Sequence, residues 1–206
     1  MLFWYVARSS GLVAWALLTA SVLWGLSLTT KVLNGRPRPA WLLDLHRYLG
    51  GLATIFVVVH IAGILADSYL HFGLASALVP FASKWRPAAI AWGVVAMYLL
   101  AAVELTSLAR KYLPRRAWKA VHFSSLPLFV FATIHAYTAG TDARTWAFEL
   151  PAAVAVLLVA WLTGIRIARG PRSARASEVG KAGVRLSAGT QAAHGQILAQ
   201  DANMSV

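Results

Sequence analysis

The sequence predicts an all-α membrane protein, a bundle of about five transmembrane helices with two stacked sites between the second and the fourth. Three observations carry this. Of the 206 residues, 59% are hydrophobic and only 13% charged, where a soluble domain averages about 25% charged. Mean hydropathy is +0.63, and the apolar residues fall into five runs of about 20 residues, each long enough for a ~30 Å hydrocarbon core. Two of those runs carry a pair of histidines each.

The first span is expected from Gly11 to Leu33, or from nearer Leu2. Its apolar run exceeds the 7–15 residues of a cleaved signal sequence, so it reads as a retained helix. The second runs from Leu45 to Ala66, where Gly50-Gly51 suits close helix packing or backbone approach to a cofactor. The third runs from Ala88 to Ala109, with Pro87 suited to a first helical turn. The fourth runs from Ala120 to Tyr137 and the fifth from Trp146 to Ile167. This membrane part ends at residue 168. Residues 169–206 are rich in Ala, Gly, Ser and Arg without periodicity and read as a disordered basic tail.

Loop charges predict orientation. The first loop carries Lys31, Arg36, Arg38 and, at the helix start, Arg47. The third carries Arg110, Lys111, Arg115, Arg116 and Lys119, and the C-terminal flank Arg166, Arg169, Arg172 and Arg175. The second has Lys84 and Arg86 against Asp67, the fourth Arg144 against Asp142 and Glu149. Loops one and three and the tail are therefore expected in the cytoplasm of a cell-membrane protein, with the N-terminus outside. Arg8 stands against that trend. The net charge of +12 follows this positive-inside pattern and membrane lipid rather than nucleic acid, and nine tryptophans fit the interface.

There is no cysteine, which excludes thiolate-ligated haem, Cys-ligated iron–sulfur clusters and covalently attached c-type haem. Any redox cofactor needs other ligands. An ionisable residue at bilayer depth is costly and functional by default, and histidine is the commonest neutral nitrogen ligand. His46 and His60 lie 14 residues apart, just under four turns and ~21 Å, on roughly one helix face. His122 and His135 lie 13 apart, or ~20 Å, and in an ideal helix miss a common face by roughly 140°. Pro127 between them offers a kink that can restore the register, as does a frayed start at His122.

Spans two and four run parallel, being two crossings apart. His46 and His122 then share the cytoplasmic level, His60 and His135 the outer one. The expected occupants are two bis-histidine haems b stacked ~20 Å apart, carrying electrons across the membrane. The four histidines are the expected metal ligands, and no catalytic residue is assigned. For the haem propionates, Arg47 and Lys119 are the inner candidates and Arg8 the outer one. Phe56, Phe129 and Phe131 fall between the levels as packing. His71, just beyond span two, reads as solvated or interfacial, and His194 as a solvated tail residue. Glu104, the one acidic residue within a span, is expected to snorkel and pair locally with Arg110 and Lys111. Interhelical hydrogen bonding or a proton pathway remains the bland alternative for the histidines, and the scarcity of intramembrane carboxylates counts against transport.

These residues resemble the ferric reductase-like transmembrane domain, a family that includes yeast-type ferric reductases, NADPH oxidases and the bacterial haem subunit of the periplasmic methionine sulfoxide reductase system. The resemblance rests on the two His pairs, on Tyr5-Val-Ala-Arg8-Ser-Ser-Gly11, on His46-Arg47-Tyr48-Leu49-Gly50, and on Leu113-Pro-Arg-Arg-Ala-Trp118-Lys119-Ala-Val-His122. It covers about residues 1–168. It implies a two-haem b electron conduit with the pairing given above, tolerance of the 13-residue spacing, and an Arg8 near the outer haem edge. Ile64 stands where oxidases often carry another histidine, which lowers the case for dedicated superoxide production. No flavin or NADPH site is expected in this chain. The resemblance therefore implies an oxidoreductase subunit fed by a cytoplasmic flavin reductase or by quinol. Its outer acceptor would be a ferric chelate, oxygen or a periplasmic protein. Three rivals stay open: a proton or ion transporter using membrane histidines, a non-catalytic membrane assembly subunit, and a different di-haem b family reducing quinone.

Overall fold

The computed structural model describes residues 2–30, 40–67 and 72–168. The elements are α1 (Leu2–Thr30), α2 (Ala40–Ala66), a short α3 (Leu74–Leu78), α4 (Pro87–Leu108), a 3-10 turn (Arg110–Tyr112), α5 (Arg115–Phe123) and α6 (Ser125–Ala139), then α7 (Trp146–Ala168). Among the described residues every regular element is helical. Five helical stretches are long and apolar enough to cross a membrane: α1, α2, α4, α5 with α6, and α7. The protein is an integral membrane protein. By contacts the chain divides at Leu162/Thr163 into two units, and only residues 163–168 of the second are described, as helix.

All five expected spans are present, with shifted ends. α1 begins at Leu2, the earlier of its two expected starts, and α2 at Ala40 rather than Leu45, since the apolar stretch Ala40 to Leu43 continues the helix on the other side of Asp44. The small α3 in the second loop was not expected. Lys31, Arg36, Arg38, His71, His194 and the tail lie outside the described residues.

Pro87 occupies the first turn of α4, where its missing N–H is harmless. Arg86 before it is left-handed, with φ 42°, a conformation uncommon for a non-glycine residue. Its guanidinium donates to Thr138 O at 2.8 Å, at the C-terminal end of α6, where helix carbonyls lack internal partners and attract cations. Arg86 thus ties the start of α4 to the end of α6.

The fourth span is broken. α5 stops at Phe123, Ser124 N turns back to Val121 O at 2.9 Å, and α6 starts at Ser125. Pro127 is the cause in sequence: it has no N–H to offer the Phe123 carbonyl four residues earlier.

The core of the first unit gathers Leu18, Val22 and Leu26 of α1, Ala53 of α2, Ala96 and Leu100 of α4, Leu128 and Phe129 of α6, and Ala155, Val159 and Leu162 of α7. Hydroxyls at bilayer depth fold back onto their own helix: Thr19 donates to Trp15 O at 2.8 Å and Thr133 to Phe129 O at 2.8 Å, since no water is there to satisfy them. Trp15 Nε1 joins α1 to α6 through Thr133 Oγ1 at 3.1 Å.

A candidate haem site between paired histidines

α1 packs antiparallel on α2, and α4 on α6. These pairings bring the four histidines together two by two. The rings of His60 and His135 are 6.3 Å apart between centroids and cross at 79°. Those of His46 and His122 are 6.0 Å apart and cross at 80°. The break at Ser124 resolves the angular mismatch of the 13-residue spacing: His122 belongs to α5 and His135 to α6, so one ideal helix never has to carry both.

Three of the rings are fixed through Nδ1. His60 Nδ1 bonds Ala7 O at 2.6 Å, His135 Nδ1 bonds Ala89 O at 2.8 Å, and His46 Nδ1 bonds Ser21 O at 3.1 Å with Ser21 Oγ at 3.3 Å. A carbonyl only accepts, so in each ring Nδ1 carries the proton and Nε2 keeps its lone pair. This is the arrangement of a metal-ligating imidazole, whose other nitrogen donates to a carbonyl. Each ring also lies against a glycine. A Cβ added at Gly11 would stand 2.8 Å from His60 Nδ1, one at Gly25 3.0 Å from His46 Cε1, and one at Gly93 2.6 Å from His135 Nδ1. Among the described glycines none meets His122. That ring stacks on Trp118 at 5.0 Å and 23°, and the Arg110 guanidinium lies over the Trp118 ring at 4.5 Å.

A cavity opens between His60 and His135, walled by apolar groups including Leu18, Val57, Met97 and Leu128, with Trp4 and Trp85 also on its lining. Arg8 also lines it and forms a bidentate ion pair with Asp142, in the loop before α7. The inner propionate candidates lie on α2 and α5. Arg47 is exposed and 3.7 Å from Asp44, and Lys119 is exposed on α5. Phe129 is fully buried in the core, Phe131 stacks on Trp92 at 5.1 Å, and Phe56 is half-buried on α2. Glu104 makes no ion pair with Arg110 or Lys111, against expectation; its carboxylate lies where a Cβ at Gly50 would come within 2.5 Å, because Arg110 and Lys111 turn to the faces of Trp118 and Tyr112.

These residues fit a haem. Two metal–nitrogen bonds of about 2 Å each, plus the imidazole half-widths, give roughly the 6 Å between ring centres. Among the described residues no cluster of three or more His, Cys, Asp or Glu could hold a bare metal ion, whereas a haem brings ligands of its own and needs only two imidazoles. Gly25, Gly93 and the carbonyls of Ser21 and Ala89 were not singled out in sequence, and Gly11 and Ala7 entered only as part of the motif that opens α1. A signal was there: Gly11 and Gly25 are 14 residues apart, the spacing of His46 and His60.

No curated protein and no solved structure matches the chain. The family model described as "Ferric reductase like transmembrane component" matches residues 10–133, which takes in His46, His60 and His122 and stops two residues short of His135. With more than half of its length covered, the chain belongs to the ferric reductase-like transmembrane component family, whose membrane domain carries electrons across the bilayer by way of haem.

Proposed function

We propose that this chain is a membrane electron conduit with two haems b, one held by His46 and His122 and the other by His60 and His135. The observation that carries the reading is the pairing itself: two sets of crossed imidazoles about 6 Å apart, three of the rings anchored through Nδ1, which leaves the lone pair on Nε2. Haem supplies reversible one-electron chemistry when bound. The protein's part is to place the two sites ~20 Å apart on parallel helices, to hold the ligand nitrogens unprotonated, and to exclude water with the apolar wall around His60 and His135.

The loop charges favour entry of electrons at the His46/His122 end, in the cytoplasm, from a separate flavin reductase or from quinol, and release outside to a ferric chelate, oxygen or a periplasmic protein. Arg8 would meet a haem propionate at the outer level, sharing its guanidinium with Asp142. Arg47 and Lys119 would serve the inner level.

The test is a reduced-minus-oxidised absorption spectrum of the purified protein with haem counted per polypeptide. The reading predicts b-type bands and two haems per chain. A chain without haem, after expression with ample haem supply, would overturn it and favour a transporter.

A further inference from the structure

The seats of His46, His60 and His135 are one motif used three times. In each, a small residue supplies the carbonyl and a glycine four residues later supplies the space: Ala7 and Gly11 for His60, Ser21 and Gly25 for His46, Ala89 and Gly93 for His135. Residues four apart lie one above the other on a helix, so the ring rests in a notch with its Nδ1 against the carbonyl below. On α1 the notch repeats after 14 residues, matching the 14 between His46 and His60 on the antiparallel α2. Carried 14 residues along α4 from Gly93, the same register reaches Ser107, whose buried hydroxyl has no hydrogen-bond partner among the described residues.

We propose that Gly11, Gly25 and Gly93 are positioning residues for the axial ligands, each fixing the plane and the donor direction of one histidine and so controlling one haem and not the other. This rests on the two-haem reading above. Small residues four apart also let helices pack closely, and that alone would make no glycine specific to one site. What singles these three out is the contact: a Cβ at each meets an imidazole at 2.6–3.0 Å, whereas a Cβ at Gly164 meets nothing within 4 Å. Alanine favours a helix more than glycine does, so damage from the substitution has to come from the ring. Turning the ring breaks the Nδ1 bond, lowers the basicity of Nε2 and changes the crossing angle of the paired planes.

The experiment takes Gly11→Ala, Gly93→Ala, Gly25→Ala and, as a control for the chemical change, Gly164→Ala. Haem content, potentiometric titration and low-temperature EPR of the ferric protein are the readouts, with His60→Ala and His46→Ala to assign each signal. Crossed imidazole planes give strongly anisotropic low-spin signals that move when a ring turns. Gly11→Ala and Gly93→Ala are expected to shift or abolish the signal of the His60/His135 haem alone. Gly25→Ala is expected to do so for the His46/His122 haem alone, and Gly164→Ala to leave both as in the parent. Ser21→Ala keeps the carbonyl and the glycine and removes one acceptor from His46 Nδ1, so it is expected to raise one midpoint potential and leave the other. Loss of both haems together in every seat variant, or two unchanged signals in all of them, would overturn the proposal while the parent's two haems still stood. A parent without haem would instead overturn the reading beneath it.

Discussion

The two histidine pairs are held by different means. At the His60/His135 end both rings bond a backbone carbonyl and both lie on a glycine. At the other end His46 is seated so, and His122 is stacked on Trp118, whose ring also carries the Arg110 guanidinium. The difference follows from the backbone. α1 is unbroken over 29 residues and can repeat a notch at a fixed interval, whereas the fourth span is cut at Ser124 and sets His122 on a segment of its own. A carbonyl and a glycine are backbone features that fix a ring in place and direction. A stack of side chains holds the ring by its face and can be tuned by substitution.

The largest expected effect comes from removing a ligand on the seated side. His60→Ala and His135→Ala should each remove one haem per chain and stop transmembrane electron transfer, as haem quantification and a redox titration would show. Retention of both haems by either variant would break the pairing.

Trp118→Ala comes next and reaches only the other pair. An aromatic contact of this kind contributes about 0.5–1.5 kcal/mol, so occupancy of the His46/His122 site should fall several-fold under haem limitation. Trp118→Phe should restore most of it, measured by haem titration into the apoprotein.

Arg86→Ala should loosen the seated side without touching a ligand. It removes the tie from the start of α4 to Thr138 O, three residues from Ala89 at one end and from His135 at the other. A hydrogen bond from a charged group contributes about 1.5–3 kcal/mol, less where exposed. A lower thermal midpoint with a shifted EPR signal of the His60/His135 haem is the expected result.

Glu104→Gln is the smallest. The half-buried carboxylate has no ion-pair partner among the described residues, so the neutral amide should leave thermal stability unchanged or raise it by up to about 1 kcal/mol. A marked loss of stability would mean that the charge is used.

Much of this was legible in the chain. Five apolar runs identify the five helices, because the bilayer demands length and hydropathy and little else. His46 with His122 and His60 with His135 follow from the parallel run of two spans. Pro127 marked the region where the fourth span breaks, since a missing N–H is a local property. The helix flanks were less legible: α2 begins at Ala40, ahead of Asp44, and Arg115 to Lys119 is helical without being apolar. The partner of Arg8 was hidden because Asp142 lies 134 residues away. Arg47 and Lys119 stand in the right stretches of sequence, but their side chains are exposed, which spacing alone does not reveal. The glycine seats were hidden in plain composition: in an apolar helix a glycine reads as packing, and only the neighbouring helix shows an imidazole against it.

The central claim is that electrons cross the membrane through both pairs in series. It is tested most directly in sealed vesicles holding ferricyanide inside and an impermeant reductant outside, comparing the haem-loaded parent with His60→Ala. The account predicts ferricyanide reduction by the parent and only the leak rate of empty vesicles in the variant. Reduction by His60→Ala at the parent's rate would contradict it.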